Sequence, residues 1–366
     1  MQPIAHNYLK LYICCSYLFT GMKSRIKEFT IYDIAQELNI SPATVSRGLK
    51  DHPAISAVTK KRINDYAKEI GYQANKFATA LRKNQTNTIG VIVHRLDSQF
   101  VASALAGMEK VAAAAGYYMI ISQSLEQSGK EKDNAEVLFH SRVDGLIVSL
   151  AFDTIDLSHF KPFIKKGIPM IFFDRVSDEL GCPSIVIDNF NAGYTATMHL
   201  IEQGCTRIAH ITGNTLRNVY ADRLNGYKKA SQVAGLEIND KLIFETKLDV
   251  KAGNDCAEEI LKMEPLPDGI FAANDLCGIS CMQRLKMAGI KIPEDIAIVG
   301  FNNDPIASLI EPKLTTIDYP SQLIGETAAR QLLEMLPGKI LQYPKTKTFV
   351  KSELIIRESS VKLIEH

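Results

Sequence analysis

Much that would mark an enzyme is missing from this 366-residue chain. It has no G-x-S-x-G elbow, no Walker phosphate loop, no H-E-x-x-H pair, and no G-x-G-x-x-G after its first strand-like run. The eight histidines are scattered. Seven cysteines (Cys14, Cys15, Cys182, Cys205, Cys256, Cys277, Cys281) form no C-x-x-C pair and no Cys/His ligand spacing. Cys277 and Cys281 would share a helix face, but nothing nearby completes a metal site. The expectation is therefore no catalytic residues, no metal and no cofactor, with buried, reduced thiols in a reducing cytoplasm. There is no fixed-period repeat and no low-complexity segment. The most apolar run, "YLKLYICCSYLFTG" at residues 8–21, is too short to span a bilayer, so no membrane partner is expected. "MKSRIKEFT" follows it with the look of a natural start. Residues 1–21 are thus expected to be a non-native start or a disordered tail.

What is present is globular, with 46% apolar and 23% charged residues, and the length calls for two or three domains. Charge is unevenly placed. Met22 to Gln85 holds 12 Lys/Arg against 6 Asp/Glu, whereas residues 86–366 hold 29 against 35. A basic head on an acidic body points to a polyanion met by the head alone.

Apolar spacing in the head is helical: Ile31, Ile34, Ala35 and Leu38, then Val45 and Leu49, then Ile63, Tyr66, Ala67 and Ile70. From Thr88 onward, short β-rich runs such as "TIGVIV", "DGLIVSL", "IPMIFF", "DGIFAA" and "DIAIVGF" alternate with amphipathic helices. That alternation predicts parallel sheets covered on both faces. Nine or more such units exceed one compact sheet, so the body is split near Asp188 into two lobes. Between head and body lies "YQANKFATALRKNQTN" (Tyr72 to Asn87), polar and basic apart from Phe77 and Leu81.

Within the head, "ISPATVSRGLK" (Ile40 to Lys50) has an unusual composition. Asn39 suits the left-handed end of a first helix, Ser41 an N-cap, and Pro42 the first helical position, where a missing N–H costs nothing. Two helices so joined make a helix-turn-helix, with Ala35 small enough for a close crossing. Val45 and Leu49 face inward; Pro42, Ala43, Thr44, Ser46 and Arg47 face outward. A slim, uncharged helix end with one long donor, Arg47, is suited to base edges in a major groove. Lys60, Lys61 and Arg62 add positive charge from the third helix.

The stretch "TIYDIAQELNISPATVSRGLKDHPAISAVTKKRINDYAKEIGY" resembles the headpiece of the lactose-repressor (LacI/GalR) family of bacterial transcription regulators. "YQANKFATALR" looks like that family's hinge helix. "FAANDLCGISCMQRLKMAGIKIPEDIAIVGF" and the tail "LIIRESS" (Leu354 to Ser360) are similar to its effector-binding body. The resemblance spans about residues 30–360. It implies an α/β chain: an all-α helix-turn-helix headpiece (22–73), a hinge helix and linker (74–87), and a two-lobed periplasmic-binding-protein-like body of doubly wound parallel sheets. One lobe takes 88–188 and 318–347, the other 189–317 and 348–366.

It further implies a ligand-responsive regulator, in most of the family a repressor, of a carbohydrate or related catabolic operon. The partners expected are double-stranded operator DNA, a small-molecule effector and a second copy, with a tetramer left open. The DNA-contact set carried over is Thr30, Tyr32, Ser41, Pro42, Ala43, Thr44, Ser46 and Arg47 from the head, with Asn75, Ala78, Leu81 and Arg82 from the hinge. Pro42 and Ala43 fall where operator choice is set, yet neither donates a side-chain hydrogen bond, so shape and thymine methyls carry readout there. Leu81 matches the leucine that wedges into the minor groove. Gly48 departs from the family's larger residue, and the sequence offers no reason for it.

In two-lobed folds the ligand lies at the carboxyl ends of the strands. Residues after each strand are therefore the effector candidates: Phe100, Ser149, Asp174, Arg175, Arg223, Asn274 and Asn302. By resemblance Asp174, Arg223 and Asn274 match effector-contacting positions, and Asn302 stands where the family has Asp. Asp275 is expected to cap a helix. An aromatic face with carboxylate, amide and guanidinium groups suits a sugar or a nucleoside-like molecule, and the two arginines leave room for a sugar phosphate. A solute-binding protein of transport type would share the body but has no use for the head. A two-domain α/β enzyme would turn over a bound sugar.

The hinge candidate, Asn75 to Lys83, is shorter than the about 12–15 residues an isolated helix needs in water. Amides of residues 75–83 are expected to exchange freely without operator and to be protected with it; protection in the absence of DNA would remove the hinge as a switch.

Overall fold

A computed structural model describes residues 29–72, 85–336 and 346–362. The expected start at 1–21 and the hinge residues Asn75, Ala78, Leu81 and Arg82 lie outside these ranges. The chain forms two compact units, residues 1–79 and 80–366, whose boundary falls within the linker read from the sequence.

The first unit holds α1 (Ile31–Glu37), α2 (Pro42–Gly48) and α3 (Ala57–Glu69). Each helix begins on a side-chain cap. Thr30 and Asp33 make a reciprocal capping box, Ser41 accepts from the Thr44 N–H at 3.1 Å, and Ser56 from the Thr59 N–H at 3.2 Å. Helix α1 closes through Asn39 at φ 54°, with the Ile40 N–H returning to the Ala35 carbonyl at 3.0 Å. Ile34, Ala35, Val45, Ile63 and Ala67 form the core. Gly48 now has an explanation: a Cβ there would lie 2.5 Å from the Ile63 δ-methyl, so Ile63 fills the space a side chain would take.

The second unit runs in chain order β1 (Thr88–Val93), α4 (Gln99–Ala114), β2 (Tyr118–Gln123), α5 (Ser128–His140), β3 (Gly145–Val148), α6 (Lys161–Lys165), β4 (Met170–Phe173) and β5 (Ser184–Ile187). It continues with α7 (Asn189–Glu202), β6 (Ile208–Thr212), α8 (Asn218–Val233), β7 (Ile243–Glu245), α9 (Val250–Ile260), β8 (Gly269–Ala272), α10 (Asp275–Met287) and β9 (Ala297–Asn302). Strand β10 (Thr315–Asp318), α11 (Ser321–Met335), β11 (Lys347–Val350) and β12 (Glu353–Ile355) complete it. Strands β1, β3, β4, β5, β6 and β8 are almost wholly buried, as parallel strands covered on both faces must be.

The strands make two six-stranded sheets, β11-β5-β4-β3-β1-β2 and β12-β10-β9-β8-β6-β7. Every pairing is parallel except β10 with β12. In both sheets the strand order reverses at the first strand, leaving a crevice beyond the carboxyl ends of β1 and β3, and of β6 and β8. The lobe limits differ from the sequence reading in two places. Asp318 pairs with Asn302 and Glu353, so it stays in the second sheet, and β11 pairs with β5 through Val350, three residues past the expected limit at 347. Strands β10 to β12 are too short to stand out before their distant partners are known.

Helices α4 and α11 pack backbone to backbone in the first lobe. A Cβ on Gly325 would sit 1.9 Å from the Ala104 carbonyl oxygen, and one on Gly107 2.1 Å from that of Gln322. This contact fixes the start of α4, and with it Phe100. Gly325→Ala should destabilise the body by about 2 kcal/mol or more, since backbone rather than a movable side chain must yield; urea unfolding of the full chain measures it.

Candidate functional site

On the headpiece, the caps set which residues of α2 face outward. Ser41, Ala43 and Arg47 are exposed, Pro42, Thr44 and Ser46 half-buried, and Val45 fully buried. Thr30 and Tyr32 are exposed at the start of α1. The Arg47 guanidinium makes no hydrogen bond or ion pair with any described residue, so among these its five N–H donors are uncommitted. Lys60 is less available than the sequence implies, because it pairs with Asp51 at 2.7 Å. The surface is thus a small, neutral helix end beside one free guanidinium, a shape that fits a duplex groove.

In the body, a cleft of 490 Å³ collects Phe100, Asp174, Arg175, Arg223, Asn274 and Asn302. Ser149 is not among its lining; fully buried behind Asp174, it donates to that carboxylate at 3.4 Å, so an effector role for it can only act through Asp174. Asp174 ends β4 in the left-handed region, φ 57°, which turns its carboxylate away from the sheet. Burial raises its pKa, opposed by Arg175, Arg223 and hydrogen bonds from Tyr319 (2.8 Å) and Ser149.

Both arginines are largely spoken for. Arg175 pairs with Glu126 at 2.7 Å and its guanidinium lies 4.1 Å from the Phe152 ring centroid. Burial works against its charge, but Tyr220, Glu126 and Asp174 outweigh that and push its pKa upward. Arg223 donates to Asn189 at 2.9 Å and to the Ala273 carbonyl at 2.8 Å, and lies 3.5 Å from the centre of Phe301.

Asn274 caps α10 through the Cys277 N–H and donates to the Leu248 carbonyl at 2.8 Å. The expected capping role of Asp275 is therefore corrected: Asn274 holds it, and Asp275 sits buried one residue on. Asp275 accepts from the Thr316 hydroxyl at 2.6 Å and the Asp304 N–H at 2.7 Å, and burial pushes it up to about 8. Asn302, at φ 112°, leads into Asn303, which Arg357 of the "LIIRESS" tail holds at 2.7 Å.

Several cleft residues escaped the sequence reading, His94, Phe152, Tyr220 and Tyr319 among them. His94 directly follows β1, and its buried Nδ1 has no hydrogen-bond partner among the described residues; burial and the charges of Arg175 and Arg95 keep it neutral. The rings of Phe152 and Tyr220 lie tilted at 5.7 Å between centroids, and Tyr319 packs tilted against Phe100 at 4.6 Å. His94 was visible by the same strand-end rule that selected Phe100. The other three become neighbours only through the fold.

A carboxyl held near 8 in the fold and near 4 when unfolded favours the native state while protonated, and that contribution declines as pH rises from about 4 to 8. Asp275→Asn, neutral throughout, should flatten this decline; denaturant unfolding at stepped pH reads the difference.

Comparison with known proteins gives this geometry its context. Residues 30–75 match bacterial regulatory proteins of the lacI family, and residues 197–360 match a periplasmic binding protein-like domain. The HTH-type transcriptional regulator RegA of Clostridium saccharobutylicum is 32% identical over 91% of this chain and 99% of its own. The HTH-type transcriptional repressor CytR of Escherichia coli K12 is 30% identical over 93% and 99%. A transcriptional regulator CelR–cellobiose complex is 26% identical with a TM-score of 0.68, over 90% of this chain and 99% of that one. The lac repressor dimer bound to operator and the anti-inducer ONPF has a TM-score of 0.80 at 24% identity, over 92% of this chain and 100% of that one; this likeness speaks for the fold. With head and body both matched in order and near full-length identity at this level, the chain belongs to the lacI family of bacterial regulatory proteins.

Proposed function

We propose that this protein is a transcriptional repressor that binds a palindromic operator as a homodimer and responds to a small polyhydroxylated effector in the cleft. The observation that carries the reading is that one chain joins an uncharged, outward-facing helix end, with an Arg47 side chain that has no partner among the described residues, to a cleft gathering six of the seven expected effector residues. Arg47 reads a base edge from the major groove while Pro42 and Ala43 read shape. Leu81, outside the described residues, takes the minor groove. Such a partner places the protein in the cytoplasm, and no helix among the described residues is long and apolar enough to cross a membrane.

Charge in the cleft narrows the effector. Its lining holds the carboxylates of Asp97, Glu126, Asp174, Asp249 and Asp304 against Arg95, Arg175, Arg223 and Lys247. Arg95 is paired with Asp97 and Arg175 with Glu126, so little positive charge remains for a phosphate. A neutral sugar or nucleoside, stacked on the rings and hydrogen-bonded at its hydroxyls, fits better than a sugar phosphate. A second copy would cover the edge strand β2, whose Tyr118, Ile120 and Ile121 are exposed.

Selection of bound fragments from the source genome gives the operator, and a thermal-shift panel of sugars, sugar phosphates and nucleosides gives the effector. Arg47→Ala should weaken operator binding by about 1–3 kcal/mol and leave the ligand shift intact. Arg223→Ala should do the reverse. Loss of both functions in either variant, or no palindromic fragment at modest ionic strength, would refute the reading.

A further inference from the structure

The first turn of α8 belongs to the second lobe and packs Val219 in its core, yet its polar groups reach across to the first. Asn218 uses both ends of its amide: Oδ1 accepts from the Val176 N–H at 2.9 Å, and Nδ2 donates to the Asp174 carbonyl at 3.1 Å. One neighbour is a pure donor and the other a pure acceptor, so a single amide orientation satisfies both. Beside it, Arg217 donates to the Thr154 carbonyl, and the Tyr220 hydroxyl accepts from Arg175 at 3.2 Å. The lobes are joined covalently where the chain passes from β5 to α7, from β10 to α11 and from β11 to β12. The α8 contacts add a non-covalent clasp.

The clasped segment, Asp174 to Val176, carries two of the cleft's charged side chains, and Asp174 holds a backbone conformation uncommon outside glycine. We infer that Asn218 is a positioning residue that couples the shape of the cleft to the angle between the lobes. It grips the turn at Asp174 only while the lobes are closed. Separating them breaks both of its bonds together, and Asp174 is released to a more relaxed backbone that no longer aims its carboxylate at a ligand. Any molecule that needs Asp174 in place therefore favours the closed form by that difference. This consequence rests on the cleft's being the effector site; the clasp itself does not.

The test uses the full chain without DNA or ligand, following amide exchange at Val176 and small-angle scattering. Asn218→Ala should speed Val176 exchange about tenfold, as expected for loss of one hydrogen bond, and enlarge the radius of gyration. Asn218→Asp keeps the acceptor for Val176 but sets an oxygen against the Asp174 carbonyl, so it should protect Val176 more than Asn218→Ala does and less than the wild type. Equal Val176 exchange in wild type and Asn218→Ala, or faster exchange across the whole body in both variants alike, would overturn the inference. A failed ligand panel leaves these readouts untouched, so the two ideas fall separately.

Discussion

Arg223 carries a permanent charge where water does not reach, and much of the second lobe is arranged to satisfy it. Its N–H groups bind Asn189 at the start of α7 and the Ala273 carbonyl just before α10, while its flat face rests on Phe301 at the end of β9. One side chain thus gathers three elements that the chain reaches at widely separated positions. Close packing makes this possible: a Cβ on Gly193 of α7 would come within 2.4 Å of the Arg223 carbonyl oxygen. The remaining field of the guanidinium falls on Asp174 of the other lobe, where, after Arg175, it opposes the upward push of burial on the carboxyl's pKa. Structure and ligand chemistry in the cleft are therefore the same set of interactions.

The balance of charge follows from this. Two buried arginines in a cleft point to an anion when only the residue types are considered. Geometry reverses that impression, because Arg175 is met by Glu126 and sandwiched with Phe152, and Arg223 is consumed by carbonyl, amide and ring. What is left for a visitor is aromatic faces and a few hydrogen-bonding groups.

Features set by neighbours in the chain were readable in advance. The left-handed Asn39, the cap at Ser41 and the proline after it depend on spacings of one to three residues, and each predicted the turn it makes. The strand-end rule likewise named Phe100, Asp174, Arg175, Asn274 and Asn302, which the fold gathers in one cleft, whereas Arg223 lies within α8. What stayed hidden was set by distant partners. Tyr319 matters because α11 brings it against Phe100, and Ser149 withdraws because Asp174 covers it. Asn274 takes the cap expected of Asp275, whose carboxylate is claimed by Thr316 and Asp304. Gly48 made sense only once Ile63 was seen to occupy its missing side chain's place.

The crossing of the chain between sheets has a consequence for biosynthesis. The first sheet lacks its outer strand until Val350 is made, and the second lacks β12 and the Ser359 hydroxyl that bonds Ile298 until the last residues follow. Neither lobe is a contiguous stretch of chain, and the strands that complete the two sheets, β11 and β12, follow directly on each other, so the first sheet is completed only shortly before the second. A nascent chain stalled even a few dozen residues short would present two open sheet edges to the chaperones around the exit tunnel.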